Sequence, residues 1–381
     1  MSRMEILKRL FHKDPILLIS GFLALISCLF VLPDAEYVGY IDLRVLAILG
    51  SLMIVVGAFV NIGAFDYMTD RLLGRVRTPR GVSLVLVILS FFMAMLLTND
   101  VTLVTLVPFA ITVLGMIGTE RDLMYTLILM TIGTNLGSML TPIGNPQNLY
   151  LYTRYGMSLP GFLWMMLPFS ALSFVLTVGG VFIFMRRSGR APETSRTSSL
   201  HPFPDRKRAL IYFLVFIVCA LTVAGLIDWR IMLGIAVVTM LIFDRQAFKK
   251  VDYALLLTFI FFFVLIGNIG RIEPISDLFS SVVSSHPAEA AIMSSQVISN
   301  VPAAMLLSAF STEGNLLAIG TNLGGLGTLI ASMASLITYK FYASHTSKSG
   351  GKIRTYIIAF SILNIVFLAA LYVLFAVLYH L

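Results

Sequence analysis

The segment PILLISGFLALISCLFVL, residues 15–32, runs its whole length without a charged side chain. About 20 such residues wound as one helix cross the hydrocarbon core of a bilayer. Comparable runs recur at FLWMMLPFSALSFVLTVGGVFIFM (162–185) and YALLLTFIFFFVLIGNIG (253–270). The composition agrees, at 58% hydrophobic and 12% charged residues, where an ordinary soluble domain carries about a quarter charged. The chain therefore reads as an all-α polytopic membrane protein. A basic flank precedes the first run, but no small-residue cleavage site follows it, so a retained helix is expected rather than a signal peptide. Cys28 and Cys219 both fall inside apolar runs and read as small core residues, not as a disulfide or metal pair.

Spans are expected at 15–32, 42–65, 123–141, 161–185, 209–227, 230–244, 252–270, 315–338 and 356–379, with two further apolar segments around 81–118 and 287–312. With the N-terminus cytoplasmic, the inside segments are 1–14, 67–80, 119–122, 186–208, 245–251 and 339–355, and they hold 23 of the 27 Lys and Arg residues. Arg44, Arg154, Arg230 and Arg271 alone fall on the other side. That asymmetry sets orientation in a multi-pass cell-membrane protein. The net charge of +8 is accounted for by basic loops facing anionic lipid heads, with no nucleic-acid partner required. Residues 186–208, RRSGRAPETSRTSSLHPFPDRKR, form a cytoplasmic linker between two membrane halves, 1–185 and 209–381.

The hexapeptide IGTNLG occurs twice, at 132–137 and 319–324. TNDV (98–101) stands before the first copy and SNVP (299–302) before the second, while IDLRVLAILGSLMIVVG (41–57) parallels VDYALLLTFIFFFVLIG (251–267). An odd number of crossings separates Asp42 from Asp252, so the second half is expected to be inverted relative to the first. Inverted repeats with interrupted helices in matching positions point to a secondary transporter with a site near the midplane. Gly, Thr and Asn also serve simply to pack membrane helices together, but two copies, each with an upstream Asn, favour transport.

About a dozen residues lie on either side of Asn300 within 287–312. Each arm would reach roughly 18–20 Å, short of the ~30 Å core, so a re-entrant hairpin is expected there. The first hairpin, 81–115, is longer; a re-entrant form follows by analogy, and two complete spans is the alternative. At each tip a second helix is expected to begin near Val101 or Pro302, with its free N–H groups facing a cavity. The Gly-Thr-Asn segments are expected to break their helices, glycine weakening the helix and the side chains offering replacement hydrogen bonds. Asp100 is the single ionisable residue at a tip. A carboxylate at membrane depth is costly and usually functional. It would hold sodium or exchange a proton, and would also serve as a plain helix cap.

The paired Ser/Thr-Asn tips, the paired Gly-Thr-Asn helices and the inverted halves resemble the ion transporter superfamily, which includes divalent-anion/sodium symporters, citrate-type permeases, arsenite exporters and one class of sodium/proton antiporters. The resemblance covers nearly the whole chain. It implies substrate and sodium contacts at Thr98, Asn99 and Asp100 in one half and at Ser299, Asn300 and Val301 in the other. It further implies helix-break contacts near Gly133, Thr134 and Asn135, and near Gly320, Thr321 and Asn322. Asp100 and Val301 stand where the divalent-anion symporters have threonine, and the Asn-Asp pair looks closer to the arsenite-exporter branch and to bacterial permeases of unassigned substrate. A two-fold homodimer is common in such families.

The expected function is alternating-access transport of a small anion, a carboxylate or inorganic oxyanion, coupled to sodium or protons and needing no cofactor. Sodium is expected at Asn99, Asp100, Asn300 and neighbouring backbone carbonyls. An arsenite exporter, a sodium/proton antiporter and a passive channel are the alternatives. The chain carries no rhomboid-type, two-aspartate or zinc-protease motif and no Walker A pattern, so neither an intramembrane enzyme nor an ATP-driven pump is supported.

Overall fold

A chain this apolar must satisfy its backbone polar groups within its own segments, and helices do so locally. In a computed structural model of the protein, residues 15–73, 76, 78–185, 205–349 and 353–379 are described, and no strand forms among them. The first half comprises α1 (Pro15–Phe30), α2 (Glu36–Tyr40), α3 (Leu43–Asn61), α4 (Ala64–Leu73), α5 (Pro79–Leu96), α6 (Asn99–Ile117), α7 (Glu120–Gly137), α8 (Pro146–Arg154) and α9 (Leu159–Phe184). The second comprises α10 (Arg206–Val223), α11 (Trp229–Phe243), α12 (Tyr253–Gly270), α13 (Glu273–Ser285), α14 (Pro287–Ile298), α15 (Asn300–Leu307), α16 (Gly314–Gly324), α17 (Met333–Ser349) and α18 (Ile353–Tyr379). Of the described helices, seven are long and apolar enough to cross a membrane: α3, α5, α6, α7, α9, α12 and α18. The expected N-terminal segment 1–14 and most of the linker, 186–204, lie outside the described residues.

Local chemistry sets many of the helix starts. Asp42 and Asp252 cap α3 and α12 in the same way, each accepting a hydrogen bond from the backbone N–H three residues on (Val45 and Leu255). Thr119 and Asp122 form a reciprocal capping box at α7, which satisfies two of the orphan donors there. Pro79, Pro146 and Pro287 occupy the first positions of α5, α8 and α14, where a missing N–H costs nothing. At the end of α12, Arg271 donates to Asp34 at 2.7 Å and to the Tyr40 hydroxyl at 3.0 Å, tying α12 to the α1–α2 connection. That hydrogen bond holds the Asp34 carboxyl below its ordinary range.

The same helix pairings occur in each half. The first hairpin arm packs on the Gly-Thr-Asn helix, α5 on α7 and α14 on α16. The second arm packs on the helix beyond the other half's break, α6 on α17 and α15 on α8. The arms themselves differ in length. At 12 and 8 residues, α14 and α15 reach about 18 and 12 Å, well short of a hydrocarbon core. With 18 and 19 residues, α5 and α6 are each long enough to cross.

Two expectations require correction. The Gly-Thr-Asn segments do not break their helices: α7 stays helical to Gly137 and α16 to Gly324, and the irregular stretches follow at 138–145 and 325–332. Their hydroxyls return to their own helix, Thr134 to the Met130 carbonyl at 2.6 Å and Thr321 to the Leu317 carbonyl at 2.8 Å, so the motif supplies no freed backbone of its own. The second arms also begin at Asn99 and Asn300, two residues earlier than Val101 and Pro302, because each asparagine already occupies the first helical turn.

The hexapeptide glycines instead permit close helix contact. A Cβ on Gly137 would overlap the Phe91 carbonyl of α5, and one on Gly320 would overlap the Ala288 carbonyl of α14. At Gly133 it would meet only ordinary contacts, 3.8 Å away. Alanine is favoured over glycine within a helix by about 1 kcal/mol, whereas overpacking costs about 1–3 kcal/mol. Gly137→Ala and Gly320→Ala are therefore expected to lower the thermal midpoint of the detergent-solubilised protein, and Gly133→Ala to hold or raise it.

Candidate functional site

The two hairpin tips, the two breaks and the starts of α1 and α12 enclose a cavity of about 60 Å³. A water needs roughly 10–15 Å³ on this measure, so there is room for a few waters or a small polyatomic solute. Asn99, Asp100, Asn145 and Gln147 border it from the first half, and Asp252, Ser299, Asn300 and Ser332 from the second. Among the described residues, no Lys, Arg or His side chain borders it.

At the first tip the backbone of Thr98 is extended and α6 begins at Asn99. The Asn99 amide donates to Asn135 Oδ1 at 3.1 Å, and its own Oδ1 accepts from the Asp100 N–H at 2.9 Å. Asp100 therefore does not cap the helix. It sits in the first turn, where a negative charge is favourable against the helix dipole, and its buried Oδ1 has no partner.

At the second tip Ser299 takes φ +74° and ψ +155°, a region essentially restricted to glycine and costing about 1–3 kcal/mol otherwise. Its surroundings hold it there. The Asn300 N–H donates to the Ala331 carbonyl at 3.0 Å and the Ser299 hydroxyl reaches the same oxygen at 3.4 Å. Gln296, one turn earlier on α14, donates to the Gly324 and Leu326 carbonyls, both at 2.9 Å, and accepts from the Thr328 N–H at 2.9 Å. The second hairpin and the second break are thus stapled into one unit.

The breaks are linked across the halves. Ser332, at the end of the second break, donates to Asn135 Oδ1 at 2.9 Å, and Asn135 donates to the Gly325 carbonyl at 3.4 Å. Reciprocally, Asn322 donates to Asn148 Oδ1 at 2.6 Å. Asn148 in turn reaches the freed carbonyls of Ser138, Met139 and Thr141 at 3.3–3.4 Å. Buried polar groups of this kind cost free energy unless paired, so each half completes the other.

The far ends of α8 and α15 are closed. The Tyr155 hydroxyl donates to the Ser311 and Ser308 carbonyls at 2.7 and 3.2 Å, and Tyr150 bonds the Ser308 hydroxyl at 2.8 Å. The cavity instead reaches exposed Asp252, at the start of α12.

Of the residues singled out from sequence, Asn99, Asp100, Ser299, Asn300 and Val301 border the cavity together. Asn135 and Asn322 stand behind it in the amide relay. Thr98 supplies its carbonyl to Thr102, and Gly133, Thr134, Gly320 and Thr321 pack within and between helices. Asn145, Gln147, Gln296 and Ser332 are not among those residues, and Asp252 figured only as a marker of the repeat. The three amides of TPIGNPQN (141–148) were the signal available for the first two.

A family model described as citrate transporter (CitMHS) matches residues 6–315. The chain belongs to the citrate transporter family. It is 31% identical over 317 residues to an uncharacterized transporter of Methanocaldococcus jannaschii, covering 83% of this chain and 86% of that one. It is 29% identical over 310 residues to the inner membrane protein YbiR of Escherichia coli, covering 79% and 80%. A shorter match, 33% over 130 residues, joins 34% of the chain to 26% of the silicon efflux transporter LSI3 of Oryza sativa. This member of the citrate transporter family is accordingly a multi-pass membrane transporter, not an enzyme.

The strain at Ser299 gives a direct check. Ser299→Gly is expected to keep or raise the thermal midpoint, since glycine adopts this backbone freely. Ser299→Val should lower it, because a β-branched residue fits the region worse than serine. The reverse order would contradict the backbone geometry.

Proposed function

We propose that this protein is a secondary active transporter that moves a small oxyanion or carboxylate by alternating access, with a cation compensating the charge. The observation that carries the reading is the meeting of both tips, Asn99 with Asp100 and Ser299 with Asn300, around one small cavity of amides, hydroxyls and carboxylates. Broken helices joined at a polar centre are how a membrane protein builds an ion and substrate site from its backbone. Asp100 and Asp252 border the cavity with no basic side chain among its described lining residues, so an anion entering alone would be repelled. A proton or metal cation bound first removes that repulsion.

The two halves are read as inverted repeats, with α14–α15 re-entrant and the amide relay near mid-depth. Ile16, Leu17 and Asp252 border the cavity, and in the sequence they closely follow the basic segments 1–14 and 245–251. Under the positive-inside rule that mouth faces the cytoplasm, and the closed Tyr155–Ser311 end faces outward. The arrangement corresponds to an inward-facing state of a cell-membrane transporter. Transport to the other side would require the Tyr155 and Tyr150 bonds to open.

A second reading is efflux of an uncharged oxyacid. The absence of a basic side chain among the described residues at the cavity favours it, and the partial match to a silicon efflux transporter names a substrate to try. Counterflow in proteoliposomes with citrate, sulfate, arsenite and silicic acid, under sodium or proton gradients, separates the two. Asn99→Ala and Asn300→Ala are expected to cut flux about tenfold or more, since each leaves buried partners unpaired, while membrane insertion is retained. Full flux in both variants would refute the site.

A further inference from the structure

The likeness of the stretches 41–57 and 251–267 extends to the contacts they make. Asp42 and Asp252 cap α3 and α12 through the same bond, to the N–H three residues on. At matching positions near the far ends, Asn61 donates to Asp244 at 3.0 Å and Arg271 to Asp34 at 2.7 Å. α11 packs along α3 as α1 packs along α12, so each pair joins a helix of one half to a helix of the other.

The two helices differ in what they present to the cavity. α12 borders it with Asp252, Ala254, Leu255 and Thr258. The matching positions of α3 are Asp42, Arg44, Val45 and Ile48, and none of these borders it. Val45 and Ile48 are fully buried. An aromatic contact lies at the division. Just beyond Thr258, Phe259 and Phe263 pack on Tyr150 of α8 with ring centroids 6.3 and 5.9 Å apart, and the Tyr150 hydroxyl bonds that of Ser308 at 2.8 Å. α3 also packs on α8, and Asp42 is an electrostatic neighbour of that tyrosine. Tyr150 therefore has α12 and the closed end of the cavity to one side and the start of α3 to the other.

Alternating access moves one repeat against the other around a shared site. Two halves of like build and opposite orientation then have a second state, in which each takes the part the other plays now. In the present state α12 flanks the cavity and α3 does not, and exchanging that difference opens the opposite side. We propose that Asp42, Arg44, Val45 and Ile48 line an outward mouth of the cavity once the Tyr150–Ser308 contact parts, as their counterparts on α12 line the inward one. This deepens the transport reading and rests on its inverted halves. The two mouths differ chemically, because Arg44 stands where α12 has Ala254. A positive charge there draws negatively charged solutes to the outer mouth.

The test uses intact cells expressing the full-length protein with Cys28→Ser and Cys219→Ser, so that a membrane-impermeant thiol reagent meets the outer face alone. Single substitutions Val45→Cys, Ile48→Cys and Leu49→Cys are compared. Leu49 is buried too, but it matches Phe259, which does not border the cavity. Expected is labelling at Val45→Cys and Ile48→Cys, with Leu49→Cys about tenfold slower, as a thiol without access is. A helix that merely frayed or unfolded would expose Leu49 along with Ile48. At Val45→Cys an anionic methanethiosulfonate is expected to gain on a cationic one, and adding Arg44→Gln should lower their rate ratio about threefold or more. Equal rates at Ile48→Cys and Leu49→Cys, or no labelling of Val45→Cys and Ile48→Cys, would overturn the outward mouth. The expected labelling without flux of citrate, sulfate, arsenite or silicic acid in proteoliposomes would strike the transport reading, whereas flux with both positions unlabelled would strike the mouth alone.

Discussion

A helix interrupted in an apolar interior frees carbonyl and N–H groups that only the rest of the protein can satisfy. Here each break is held by an amide of its own half, and the two are then tied to each other across the halves. Asn148, just past the first break, holds that break's carbonyls and accepts from Asn322 of the second half. Ser332, just past the second break, donates to Asn135 of the first. The two breaks are thereby joined in one buried polar network beside the cavity.

From this relay the remaining features follow. The tips approach each other because Asn99 is anchored on Asn135 and the Asn300 backbone on Ala331, members of the same relay or its flanks. Gln296 ties one hairpin to its break through three hydrogen bonds, so that hairpin moves only if the break moves. Such coupling between a tip and a broken helix lets occupancy of one small cavity bias a larger rearrangement. The strained Ser299 backbone fits the same logic, since strain persists only where its surroundings over-determine it.

Much of this was legible in the sequence, and for identifiable reasons. Apolar runs of spanning length specified most of the helices, since hydrophobic length is a direct physical requirement of the bilayer. The duplicated IGTNLG pointed to the right neighbourhood, and the tip asparagines were found because polar residues are conspicuous against an apolar background. The position of the breaks was misread by a few residues. Glycine and threonine signal weakness in an isolated helix, yet Gly137 and Gly320 are used here for close helix contact, which only tertiary packing reveals. Asp252 read only as a marker of the repeat; its place at the cavity depends on how α12 packs. Gln147 follows a proline at the start of α8, where nothing in the local pattern distinguishes a cavity-lining amide from a loop residue.

The meeting of the two tips can be measured directly. In a variant carrying Cys28→Ser and Cys219→Ser, with a protease site inserted at residue 195, Asp100→Cys and Val301→Cys place one thiol on each side of the cavity. A short bifunctional thiol reagent is added in the membrane, the linker is cut, and the fragments are separated on a denaturing gel. Fragments that stay joined only when both thiols are present are the predicted result. Efficient labelling of each single thiol with the fragments nevertheless coming apart would place the tips in separate sites and contradict the shared cavity.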